Sequence, residues 1–84
     1  MKPIRLTAHA LGYLSERGTS QLEIEDAIRS ARWELADRGR LECRKQFQYG
    51  TDWNDTFYAT KQVRPIFVEE DDEIVVITVY TYCY

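Results

Sequence analysis

Ile74-Val75-Val76-Ile77-Thr78-Val79-Tyr80-Thr81-Tyr82-Cys83-Tyr84 closes the chain, and its pattern decides the architecture. β-Branched and aromatic residues fill it, and these fit a pleated, half-buried surface. Successive side chains of a strand point to opposite faces. Simple alternation puts Val75, Ile77, Val79 and Cys83 on one face and Ile74, Val76, Thr78, Tyr80, Tyr82 and Tyr84 on the other. Both faces begin apolar, which marks a central strand. One face then turns into a tyrosine ladder. The small aliphatics are expected under helices and the tyrosines on the open side of the sheet.

Working outward, Glu70, Asp71 and Asp72 make an acidic turn joining this strand to Ile66–Glu69 as a hairpin. Phe57–Val63 reads as another strand, and Pro65 after it marks an edge, a bulge or a break. Leu41, Cys43, Phe47 and Tyr49 alternate with Glu42, Arg44, Gln46 and Gln48, a period of two, with Lys45 interrupting the apolar side. Trp33–Gly39 reads as a connector and Gly50–Asp55 as a loop carrying Trp53. That tryptophan is a core plug or a partner anchor.

The first third is helical. Thr7 can cap a helix starting at Ala8, with Ala10, Leu11 and Leu14 as its apolar stripe and Gly18 as its left-handed stop. Ser20 and Glu23 have capping-box spacing. Ile24, Ala27, Ile28 and Ala31 then recur at i, i+3, i+4 and i+7. Together these elements predict one α+β domain over residues 1–84. Two N-terminal helices cover one face of a three- to four-stranded antiparallel sheet, and Met1–Leu6 can add a short strand.

The chain has 84 residues, 44% hydrophobic and 30% charged, the mixture of a globular domain. Its longest aliphatic run, Ile74–Ile77, is far short of a membrane span. Arg5 and His9 interrupt any apolar leader, so a cytoplasmic, reducing setting is expected, with Cys43 and Cys83 as buried thiols. Net charge is −3, unevenly spread: residues 1–50 hold nine basic and seven acidic side chains, residues 51–84 two and seven. A uniformly basic nucleic-acid binder is excluded, whereas a local patch at Arg38, Arg40, Arg44 and Lys45 is not. One histidine, two distant cysteines and no Cys-x-x-Cys predict no zinc site and no cofactor.

His9 is the chain's single histidine and lies off the apolar stripe, on a face with Gly12, Tyr13 and Glu16. It is a solvated histidine or a proton carrier. Gly12, unfavourable inside a helix, suggests a close approach on that face. Arg38, Arg40, Arg44 and Lys45 are either a solvated strand edge or a phosphate clamp, and because Arg44 and Lys45 point to opposite faces of the strand, the four cannot all act together. Tyr80 and Tyr82 can stack bases, pack across strands or form a dimer patch.

His9-Ala10, Glu16-Arg17-Gly18 and Ile24-Glu25-Asp26-Ala27-Ile28, together with Val75–Tyr80, resemble a family of small bacterial and phage domains of unknown function. That family is similar in size and element order to the RelE/ParE and BrnT toxins. The resemblance implies a RelE-like fold and an endoribonuclease toxin, or a toxin-like relative, that cleaves RNA without metal. It implies RNA or the ribosome as target and a cognate antitoxin protein as partner. His9 and Arg17 match recurring polar positions; the family often has an arginine where this chain has Tyr13. On this expectation His9 is the acid or base, Arg17 and Arg44 stabilise the phosphorane, Arg38, Arg40 and Lys45 bind substrate, and Tyr80 or Tyr82 holds a base. The alternatives are a noncatalytic interaction module, bacterial or phage, that binds a protein or a second copy through its tyrosine-rich face, and an unrelated host-modulating phage protein.

Overall fold

A computed structural model describes residues 2–53 and 56–84, with only the backbone of Tyr49, Thr51 and Trp53. In chain order the elements are β1 (Ile4–Leu6), α1 (Ala8–Gly12), α2 (Leu14–Arg17), α3 (Gln21–Ser30), β2 (Glu34–Leu35), β3 (Leu41–Glu42), β4 (Lys45–Trp53), β5 (Thr56–Glu69) and β6 (Ile74–Cys83). The α+β class holds, but the sheet is six-stranded and mixed rather than three- to four-stranded and antiparallel. Its order is β1-β6-β5-β3-β2, with β4 also on β5, and β1 runs parallel to β6.

Helix boundaries follow from local chemistry. The Thr7 hydroxyl accepts the Ala10 amide at 3.1 Å and starts α1. The expected first helix breaks at Gly12–Tyr13, where glycine is the weakest helix former after proline. A side chain at Gly12 would meet open space, so none of the described residues makes the close approach expected there. Gly18, at φ 67°, ends α2, with amides of Gly18 and Thr19 returning to Ser15 and Leu14, the Schellman pattern. Ser20 and Glu23 form the full capping box of α3. Glu23 Oε1 also takes the Lys61 ammonium at 2.8 Å, and Lys61 donates to the Gly18 carbonyl at 2.8 Å, so the helix caps are tied to β5.

Ile24, Ala27 and Ile28 of α3 are buried against Val63, Phe67, Val76, Val79 and Cys43. Burying each isoleucine contributes about 1.5–3 kcal/mol. Trp33, expected in a connector, packs edge-on to Phe67 at 5.0 Å and donates its indole N–H to the Ile28 carbonyl at 2.7 Å.

Pro65 sits inside the central strand β5. The backbone groups of Thr60 bond to Tyr84 of β6, so odd-numbered residues of β5 face β3 and β4. β3 and β4 keep one register against β5, Leu41 to Phe67 and Lys45 to Val63, and the ladder lapses at 43–44, opposite 64–65. The missing proline N–H thus splits one strand into two. Past Gln48 the register shifts beside Gly50, at φ 61°, and β4 runs on through the expected loop. The side chain of Trp53, and residues 54–55 of that loop, lie outside the described residues.

A second irregularity reverses part of the β6 alternation. Ile66 pairs with Thr78 but Phe67 pairs with Val76, so Ile77 is an extra residue, a β-bulge. Ile74 and Val76 therefore share the helix-side core with Val79, while Tyr80 and Tyr82 keep to the open face. Val75 falls opposite to its expected place.

Candidate functional site

The open face is built by cross-strand register. Paired residues of an antiparallel ladder share a face. Arg64 pairs with Tyr80, Gln62 with Tyr82, and Glu42 with Ile66. Arg64 Nε donates to Glu42 Oε2 at 2.6 Å and its Nη1 donates to the Tyr82 hydroxyl at 3.0 Å. Glu42 hydrogen bonding pushes the Arg64 guanidinium further above its already high range, so it stays charged throughout. Arg44 reaches the other oxygen of Glu42 at 3.8 Å.

The Arg64 guanidinium carbon lies 5.3 Å from the Tyr80 ring centroid, and that of Arg17 lies 5.7 Å from it. Guanidiniums from β5 and α2 thus meet one ring. Arg17 also covers Tyr13 at 5.0 Å, and Tyr13 meets His9 edge-on at 4.6 Å. A continuous row runs His9, Tyr13, Arg17, Tyr80, Arg64, Glu42.

Beside Tyr80 lies a hollow of about 260 Å³. Arg38, Arg40 and Arg64 line it, with Thr78, Ile66, Ala36 and a single carboxylate, Asp37. Among the described residues, neither Arg38 nor Arg40 has an ion-pair partner. Both stand at the tip of the β2–β3 hairpin, itself absent from the sequence expectation. Leu35 pairs with Leu41, and the Arg40 amide returns to the Asp37 carbonyl at 3.3 Å. Arg38 (φ 63°, ψ 32°) and Gly39 (φ 71°) both have positive φ, as a type I′ turn requires.

Seven of the eight expected site residues belong to this surface: Arg17, Tyr80 and His9 in the row, Arg38 and Arg40 in the hollow, Arg44 and Tyr82 around Glu42 and Arg64. His9 stands outside the hollow, reached through Tyr13 and Arg17. Lys45 is the correction. It pairs with Val63 on the helix side and its ammonium meets Asp26 of α3 at 2.9 Å, an exposed pair that holds the Asp26 carboxyl below its usual range. It cannot join the arginines. Cys43 is buried and its thiol is pushed up to about 12 by burial, whereas Cys83 is only half-buried. Glu42 and Arg64 are the residues that sequence reasoning missed. Their signal was weak: one polar position in an alternating strand, and one arginine beside a proline.

No helix among the described residues is long and apolar enough to cross a membrane. Compared with family models, with curated proteins and with solved structures, the chain has no match in any of the three.

Proposed function

We propose that the open face binds single-stranded RNA and that the protein is a metal-independent endoribonuclease toxin, or a toxin-like relative, with an antitoxin as its protein partner. The observation that carries this is the Tyr80 ring met by two guanidiniums, Arg17 and Arg64. Aromatic rings and arginine planes both stack bases, and stacking is worth ~1–3 kcal/mol per base. In the cleavage step a ribose 2′-oxygen attacks the adjacent phosphorus and loses its proton. The 5′-oxygen leaves and takes up a proton, giving a 2′,3′-cyclic phosphate and a 5′-hydroxyl end. His9 moves one of those protons, and Arg17 stabilises the phosphorane charge.

The test is wild type against His9→Ala on ribosome-bound and free RNA, beside a growth test on induction. His9 is exposed, so the variant should melt within a few degrees of wild type while cleavage falls about 10²- to 10⁴-fold. A second reading, an interaction module, is favoured by the exposure of Tyr82 (44%) and Tyr84 (56%) at the end of β6. Wild type that neither cleaves RNA nor slows growth, yet forms a complex lost on Tyr82→Ala, would select it.

A further inference from the structure

We propose that the hollow beside Tyr80 is a phosphate subsite, filled by a backbone phosphate of a single-stranded RNA whose neighbouring base lies against the Tyr80–Arg17 pair. The choice of polymer rests on the RNA reading above; the anion site rests on the hollow itself.

Arg38, Arg40 and Arg64 line the hollow, with Asp37 the one carboxylate among its described lining residues, while Glu42 pairs with Arg64 beside it. Arg38 and Arg40 have no ion-pair partner among the described residues, so their guanidiniums are not tied up by a carboxylate of the fold. Arg64 is fixed by Glu42 and Tyr82 through two of its N–H groups. A guanidinium carries five, so the rest stay available to a ligand. Donors arriving from a hairpin tip and from a strand suit a tetrahedral anion with several oxygens better than a flat carboxylate. The Thr78 hydroxyl adds a neutral donor. At about 260 Å³ the hollow has room for a phosphate and part of its sugar.

The backbone gives a second, independent sign. Arg38 occupies a left-handed position that asparagine or glycine would take more easily. A charged, strained residue at a hairpin tip is costly for the fold, and it points to a use for that charge.

The experiment measures binding of inorganic phosphate, a nucleoside 3′-monophosphate and a short single-stranded oligoribonucleotide across a salt series. The proteins are wild type, Arg38→Asn, Arg40→Ala and, as a control on the helix side, Arg29→Ala. Arg38→Asn suits its turn, and Arg40 is only half-buried and has no ion pair among the described residues, so both variants should fold, which circular dichroism checks. Each should weaken the oligonucleotide about tenfold and flatten its log K against log salt slope by about 0.7, while Arg29→Ala changes neither. The two mononucleotide-scale ligands should bind more weakly at the same residues. Oligonucleotide affinity and slope in both variants within about twofold of the control would overturn the subsite, as would no saturable binding by wild type. Binding of this kind without cleavage removes the nuclease reading and leaves the subsite; cleavage unaffected by either substitution does the reverse.

Discussion

Arg38→Asn should make the protein more stable while weakening its grip on anions. Arg38 sits at φ 63° and ψ 32°, where a side chain's Cβ crowds the following carbonyl. That costs roughly 1–2 kcal/mol for an ordinary residue, and asparagine recovers part of it by local hydrogen bonding. A gain of about 0.5–1 kcal/mol follows, or about 2–8 °C in Tm for a domain of this size. Arg38→Ala separates backbone from charge. Alanine removes the guanidinium but keeps the crowding, so its stability should stay within about 0.5 kcal/mol of wild type. The assay is thermal and urea unfolding of the three proteins, with oligoribonucleotide binding measured on the same samples. An Arg38→Asn protein that folds but melts no higher than Arg38→Ala would refute the strain argument. Undiminished RNA affinity would refute the role given to the charge.

Thr81 Oγ1 is buried and lacks a hydrogen-bond partner among the described residues, so Thr81→Val should raise stability by about 1 kcal/mol, read by urea unfolding. Asp26, hydrogen-bonded to Lys45, and Glu73, hydrogen-bonded to Arg5, both titrate below their usual values of 3.8 and 4.5. Folded values below unfolded ones mean the contribution is full above about pH 4.5 and fades as pH falls through the folded values. Asp26→Asn should flatten the acid limb of a Tm against pH curve, and an unchanged limb would contradict the pairing. The Cys43 thiol, pushed up to about 12, should react with a thiol reagent far more slowly than Cys83 in the native protein and equally fast after unfolding. Equal native rates would place Cys43 nearer the surface than its burial allows.

Much of the helical layer was legible because its signals are local. Thr7, Gly18, Ser20 and Glu23 act on backbone groups within five residues of themselves, and the Ile24–Ala31 period needs only α3. The open-face placement of Tyr80 and Tyr82 was also legible, since the β5–β6 hairpin and its acidic turn are contiguous. The β2–β3 hairpin was not. Its turn carries Arg38 where asparagine is the usual signal, and each flanking strand has two residues.

The sequence by itself determined the class of the domain, its capped helices, its closing strand and most of the residues on the open face. Short-range spacing suffices for each of these. Only the tertiary structure decided what those residues meet. The bulge at Ile77 changes which valines reach the core, because register is set by the partner strand. The gap opposite Pro65 arises because a residue on another strand lacks an N–H. Alternation already sets Lys45 opposite Arg44, but only the fold brings Asp26 of α3 to its ammonium, and Arg64 enters the site because Glu42, 22 positions earlier, faces it across the sheet. Such pairings join distant parts of the chain, and no local pattern encodes them.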